Sequence, residues 1–196
     1  MEAFSDGVIA ILITIMVLEL HIPRGTGLSA LRPLAPIFAS YVLSFVFLGI
    51  YWNNHHHLLQ AALHVDGRVL WANLHLLFWL SLVPFGAGWM GENDLAPWAV
   101  AFYGVILLMG GLAYFLLTRT LVALHGRDSV LASAVGRDVK GIASLVIYAA
   151  AIPLSLLSGW LGFGLYVVVA AMWLIPDRRI ARALAGSAPA ADAATE

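Results

Sequence analysis

Histidine and asparagine side chains that could bind a metal or carry a proton gather at two places in the chain. Asn53–His57 follows Trp52 at the end of one apolar stretch, and Asn73 and His75 lie within the next. Adjacent histidines point in different directions on a helix, so His55–His57 lacks the i, i+4 spacing with an acid that is typical of metal sites. We therefore predict no metal ion here. Hydrogen-bonded bridging between helices is the main interpretation, and proton sensing by imidazole is the alternative.

Two acids, Asp6 and Glu19, lie near the ends of the first apolar stretch, residues 3–20. Acids within a bilayer are costly and often functional, which would suit a proton or cation pathway. Alternatively both lie at the interface, where Ser5 or Asp6 would cap a helix and favour the positive end of its dipole. The spacing of these residues leaves both interpretations open.

Between the two acids, Ile11, Ile15 and Leu18 are spaced i, i+4, i+7 and therefore share one helical face, with Thr14 beside it. The stretch is apolar all round. Its periodicity therefore does not reveal whether this face contacts lipid, protein or a pore.

The chain carries no sequence motif typical of an enzyme. HExxH, the Walker-type glycine loop and GxSxG are all missing, and the absence of cysteine removes disulfides and thiolate chemistry. A net charge of −1 gives no reason to expect a nucleic-acid partner. We predict a protein that is not an enzyme and has no cofactor. Three functions are considered for such a chain. They are a cation channel, a proton- or cation-coupled transporter that uses the acids and histidines as relays, and a haem or quinone enzyme. The last would need paired axial histidines.

The composition predicts a membrane protein. Hydrophobic residues make up 62% of the chain, charged residues 11%, and the mean hydropathy is +0.91. A soluble domain averages about 45–50% apolar and about 25% charged residues. A bilayer-spanning helix needs about 20 apolar residues, and backbone in lipid must be hydrogen-bonded, so we predict an all-α polytopic protein. Its six transmembrane helices are expected at about 3–20, 34–52, 69–85, 98–117, 142–157 and 160–175.

Basic residues are distributed unevenly between the loops. Every lysine and arginine except Arg24 and Arg32 falls between the second and third stretches, between the fourth and fifth, or after the sixth. The predicted loop 86–97 carries acids and no base. Because cytoplasmic loops are enriched in Lys and Arg, both termini are predicted to be cytoplasmic. The Ala-, Ser- and Pro-rich end, residues 185–196, is predicted to be a disordered tail following a single domain, residues 1–184.

Three strings in the first half of the chain resemble one known family. Glu2–Ile11, followed by Thr14 and Leu18-Glu19, is similar to the first helix of the endolysosomal potassium channel family in its bacterial branch. That helix carries an Arg, three residues, then Phe-Ser-Asp. Phe4-Ser5-Asp6 matches this signature, and the Arg would fall one residue before Met1. The resemblance continues at residues 51–56, 70–74 and 81–85.

This resemblance implies a potassium-permeable, modestly selective cation channel in the bacterial inner membrane. It implies a homotetramer of six-helix subunits in membrane lipid, with first helices lining a central pore for K⁺ and other monovalent cations and with no pore loop. The hydrophobic constriction maps onto Ile11, with Ile15 and Leu18 further outward, and cation selectivity maps onto Thr14.

The family also implies a polar network at the inner end of the first helix. Its members map onto three residues of the first helix and four of the second and third: Phe4, Ser5, Asp6, Trp52, His55, His56 and Asn73.

Overall fold

A computed structural model describes residues 1–23, 25–126, 129, 131–132 and 138–175, and the predicted tail 185–196 lies outside them. All regular structure in this part of the chain is helical, which confirms the predicted all-α fold. A 3₁₀ turn at Met16–Glu19 continues the first helix, and a second at Leu28–Leu34 leads into the next. The α-helices are α1 (Glu2–Ile15), α2 (Ala35–Gln60), α3 (Gly67–Ser81), α4 (Val83–Glu92), α5 (Pro97–His125), α6 (Val139–Leu157) and α7 (Gly159–Leu174).

Several helical segments in the described residues are long and apolar enough to cross a bilayer. Four segments meet both requirements by length and composition, namely Leu28–Gln60, Gly67–Glu92, Pro97–His125 and Val139–Leu157, while α7 is a shorter apolar helix. When α3 and α4 are counted as one broken span, and α1 is included, the described residues contain six apolar helical segments.

The third span differs from its prediction. The expected loop 86–97 is wrong over its first half, because residues 86–92 belong to α4, which begins directly after the break at Leu82 with Pro84 in its first turn. Glycines lower the hydropathy of this segment, but they allow close helix packing. A Cβ on Gly91 would lie 2.7 Å from the Cα of Ile37 in α2. Small residues at such contacts are typical of helix packing in membranes.

Helix α5 is central to the fold and packs against α3, α4, α6 and α7. Buried hydroxyl groups join it to its neighbours. Ser44 Oγ of α2 lies 2.7 Å from the hydroxyl of Tyr103, and Tyr166 of α7 donates to the carbonyl oxygen of Val100 at 3.1 Å. These bonds satisfy polar groups that would be costly to leave unpaired in an apolar interior.

Helix α1 packs on one side only. Its buried residues Ser5, Ile9, Leu12 and, in the 3₁₀ turn, Met16 face α2 and α3. They recur every three or four residues, which is the spacing of one helical face. The described part of the chain therefore positions α1 through this face and leaves the opposite face uncovered.

Candidate functional site

The uncovered face of α1 carries the residues predicted to form a constriction. In the single chain, Ile11 is 60% exposed, Ile15 41% and Leu18 79%, whereas the neighbouring Leu12 is 6% exposed. At about 100° per residue, Leu12 lies well around the helix from Ile11. The structure thus places the three predicted residues on one apolar face and Leu12 in the core.

Thr14 is also exposed, and its hydroxyl group has a defined orientation. Its Oγ1 donates to the carbonyl oxygen of Ile11 at 2.9 Å. A hydroxyl has one proton and two lone pairs. Because the hydroxyl proton is donated to the Ile11 carbonyl oxygen, the lone pairs of the Thr14 oxygen remain available to a cation on the exposed side of the helix.

The helix tightens where this face continues past Ile15. Ile15 is the last residue of α1, and Leu18 lies in the 3₁₀ turn. Side chains three residues apart are eclipsed in a 3₁₀ helix. Leu18 therefore projects from nearly the same side as Ile15.

At the other end of α1, a chain of buried side-chain hydrogen bonds joins three helices. Asn73 Nδ2 donates to Ser5 Oγ at 2.9 Å, and Asn73 Oδ1 lies 2.7 Å from His55 Nε2. Ser5 Oγ in turn donates to the carbonyl oxygen of Met1 at 3.2 Å. Since an amide oxygen can only accept, His55 carries its proton on Nε2. His55 Nδ1 is buried and has no hydrogen-bond partner among the described residues.

A second, more exposed polar cluster lies beside this chain. His56 Nδ1 is 3.0 Å from Glu2 Oε1 and 3.8 Å from Asp6 Oδ2. The other ring nitrogen of His56, Nε2, is 2.9 Å from Gln60 Nε2, and Trp52 stacks on the ring with centroids 5.7 Å apart. We call the carboxylates of Glu2 and Asp6 together with the imidazole of His56 the inner cluster.

The structure brings most of the predicted network residues together, but in two groups. Ser5, His55 and Asn73 form the buried chain, and Asp6, His56 and Trp52 belong to or border the inner cluster. Phe4 is 58% exposed and lies on the open face of α1.

Glu2 and Gln60 were not among the residues predicted to form the polar network. The available signal was spacing, because Glu2 precedes Asp6 by four residues on α1, and Gln60 follows His56 by four on α2. Residues at that spacing are neighbours on a helix.

Other candidate residues make local contacts. The Trp79 indole donates to His75 Nε2 at 3.0 Å, which occupies the nitrogen that a haem iron would need. A Cβ on Gly88 would lie 3.0 Å from Glu19 Oε2, so the Glu19 carboxylate rests on α4. Asp6 and Glu19 thus lie at opposite ends of the first helical segment, in separate surroundings.

Comparison with known proteins gives consistent matches. The model of the family described as "Endosomal/lysosomal potassium channel TMEM175" matches residues 1–84. A potassium channel of Chryseobacterium sp. is 47% identical over 184 residues, covering 94% of this chain and 96% of that protein. A potassium channel of Chamaesiphon minutus is 31% identical over 184 residues, covering 86% and 89% respectively.

Solved structures agree with these relatives. The crystal structure of a lysosomal potassium-selective channel TMEM175 homolog from Chamaesiphon minutus matches with a TM-score of 0.75 and 29% identity, covering 88% of this chain and 94% of that one. These matches confirm the resemblance, the multi-pass helical membrane fold and the prediction that the chain is not an enzyme. The chain belongs to the TMEM175 family of potassium channels.

Proposed function

We propose that this protein is a potassium-permeable cation channel of modest selectivity, whose pore is lined by α1 from each of four identical subunits in the bacterial inner membrane. The observation that carries the proposal is the uncovered face of α1 in a chain whose relatives are named potassium channels. One helix cannot enclose an ion path, so several copies of the face must meet around an axis. Closed cyclic symmetry satisfies this requirement.

In this assembly, Ile11 forms the narrowest ring, with Ile15 and Leu18 further outward. A narrow ring of sec-butyl groups excludes water, and an ion that enters it must give up hydration without receiving new ligands. The ring therefore blocks ions because it is narrow and excludes water. Opening of the channel must widen the ring or rotate its side chains out of the ion path.

Thr14 supplies the selectivity of the proposed pore. Its lone pairs are free while its proton is bonded to the Ile11 carbonyl oxygen. Four such oxygens replace part of the water shell of a cation, but far less completely than rings of backbone carbonyls do. Modest preference for K⁺ over Na⁺ follows.

The buried chain of Ser5, Asn73 and His55 holds the inner end of α1 against α2 and α3. It therefore fixes the rotation of α1 about its own axis, and with it the residues that face the pore. Basic residues between the spans orient this end toward the cytoplasm.

The first test is recording from the purified chain in planar bilayers with KCl on one side and NaCl on the other. A channel passes current down either cation gradient, with a reversal potential displaced modestly toward that of K⁺. A coupled transporter, the other function considered, would instead depend on a gradient of its second ion. A monomeric mass for active protein in detergent would contradict the proposed tetramer.

The second test is Ile11→Asn, which replaces a dry ring with amides that retain water. Water lowers the cost of passing an ion. If the barrier falls by about 1.4 kcal/mol, the conducting rate rises about tenfold. Liposome flux should increase, and discrimination between K⁺ and Na⁺ should fall.

Leu12→Asn is the matched control for this substitution, because it introduces the same group one residue along the same helix. Leu12 is buried against the rest of the subunit. An unsatisfied amide there should cost roughly 1–3 kcal/mol of stability without opening the pore. Leaky Leu12→Asn with parent-like Ile11→Asn would show that a different face of α1 lines the path.

A further inference from the structure

The inner cluster brings together three groups that ligate metal ions. Glu2 and Asp6 lie one turn apart on α1, and His56 reaches them from α2. One ligand atom from each residue lies within 4.8 Å of the other two. Zinc binds carboxylate oxygens and imidazole nitrogens, and this cluster offers two of the former and one of the latter. A site made only of carboxylates would instead favour ions such as Mg²⁺ or Ca²⁺.

The distances in the cluster are close to those of an assembled site. In tetrahedral zinc sites with bonds of about 2.0–2.2 Å, ligand atoms lie roughly 3.3 Å from one another. His56 Nδ1 is 3.0 Å from Glu2 Oε1 and 3.8 Å from Asp6 Oδ2, values that bracket this spacing. Small side-chain rotations are enough to direct all three atoms at one point.

Two polar atoms of the cluster have no hydrogen-bond partner in the part of the chain that the structure describes. Asp6 Oδ1 and His56 Nδ1 are both buried and lack a hydrogen-bond partner within the described residues. The 3.0 Å contact between His56 Nδ1 and Glu2 is thus short without being aligned as a hydrogen bond. Buried polar atoms of this kind call for a partner such as an ion. A divalent cation would also balance the charge of two carboxylates, which a single imidazolium proton does not.

The neighbours of His56 hold its ring in place for ligation through Nδ1. Trp52 stacks on the ring with an interplanar angle of 23°, and the Gln60 carboxamide meets Nε2 at 2.9 Å. When Nδ1 binds a metal, Nε2 must carry the proton. A half-turn of the Gln60 carboxamide then presents its oxygen to that proton, an arrangement common around metal-bound histidines.

The spacing of His55–His57 along the chain gave no reason to expect a metal ion, but the fold brings His56 to two acids of another helix. We propose that Glu2, Asp6 and His56 form a binding site for a divalent metal ion of the zinc class. The side chains of Glu2, Asp6 and His56 are 41%, 32% and 29% exposed, so the ion can enter from the aqueous side and retain water in its remaining position. The bound ion links α1 to α2. The site requires only the fold of one subunit, so it does not depend on whether α1 lines a pore.

The test is titration of the full-length, detergent-purified protein with ZnCl₂ against a chromophoric chelator. We expect one zinc per chain with a micromolar or tighter dissociation constant. Glu2→Gln and His56→Gln should each weaken binding about tenfold or more, since each removes a direct ligand. His64→Gln, which removes an exposed histidine outside the cluster, should bind zinc as the parent does.

Two further measurements separate ligation from general damage to the fold. The melting temperature of each variant without zinc reports folding, and zinc should raise it in the parent and in His64→Gln but not in the cluster variants. X-ray absorption should show only nitrogen and oxygen ligands, at about 2.0–2.2 Å. If His56→Gln proves unstable, Glu2→Gln carries the comparison, because Glu2 is substantially exposed.

Two results would overturn the proposal. The first is zinc binding in Glu2→Gln equal to that of the parent. The second is a dissociation constant of the parent in the millimolar range or weaker.

Discussion

The carboxamide of Asn73 makes hydrogen bonds at both ends. Its nitrogen donates to Ser5 of α1, and its oxygen accepts from His55 of α2. Sequence alone identified Asn73 as a polar residue inside an apolar stretch, and the family resemblance supplied its partners. Spacing could not, because Ser5 lies 68 residues away along the chain. The same limit hid Glu2 and His56 as neighbours, since their approach depends on how α1 is rotated against α2.

Asn73→Leu should destabilise the subunit without altering its exposed face. Ser5 Oγ would lose a donor, and His55 would keep no hydrogen-bond partner in the described structure. Each buried group left unsatisfied costs roughly 1–3 kcal/mol. The measurement is thermal unfolding in detergent, with size-exclusion chromatography to follow assembly.

Asn53→Leu is the control for that change, since Asn53 is exposed on the adjacent α2. It should unfold at nearly the temperature of the parent. Equal melting temperatures for Asn73→Leu and the parent would mean that the buried chain contributes nothing to stability.

At the scale of elements, hydropathy located the apolar segments but not the full lengths of the helices. Helix α2 continues to Gln60, eight residues past its predicted end at residue 52. Hydropathy reports which residues are favourable in the hydrocarbon of the bilayer. A polar segment such as His55–His57 can continue the same helix outside the hydrocarbon. Helix α4 was missed for a related reason, because its glycines suggested a loop although they serve close packing.

Gly91→Ala tests that packing. A methyl group there would meet the backbone of Ile37 at 2.7 Å, a contact that only a shift between α2 and α4 can relieve. Overpacking of this kind costs about 1–3 kcal/mol. The expected result is a lower unfolding temperature in detergent.

Gly164→Ala provides the matched comparison on α7, where an added Cβ meets nothing within 4 Å. Alanine is favoured over glycine in a helix by about 1 kcal/mol, so this variant should be as stable as the parent or more so. Identical behaviour of the two alanine variants would show that α2 and α4 do not pack tightly.

For the whole molecule, composition was sufficient to predict a helical membrane protein. A soluble fold of this size could not bury so many apolar side chains away from water. The uneven distribution of charge between the turns predicts how the helices are oriented across the membrane. The turn between α2 and α3 is followed by Arg68, while Glu92, the last residue of α4, and Asp94 lie where α4 leads into α5. The positive-inside rule assigns the first turn to the cytoplasm and the second to the outside.

Single cysteines test this orientation cleanly, because the chain has none of its own. Glu92→Cys should react with a membrane-impermeant maleimide in intact cells. Leu63→Cys, at a position 89% exposed in the α2–α3 turn, should react only after the membrane is permeabilised. Labelling of Leu63→Cys in intact cells, with Glu92→Cys protected, would reverse the assigned topology.

The 3₁₀ turn at Met16–Glu19 winds the C-terminal end of the first helical segment more tightly than the rest of it. Such a helix advances about 120° and about 2.0 Å per residue, against about 100° and about 1.5 Å in an α-helix. Rewinding these residues as α-helix would turn Leu18 by about 60° relative to Ile15 and bring it about 1.5 Å closer to Ile15 along the helix axis. The two side chains would change from eclipsed to staggered, while Ser5, Ile9 and Leu12 kept their packing. A twist confined to four residues can therefore realign one face of the helix while its anchored end stays still.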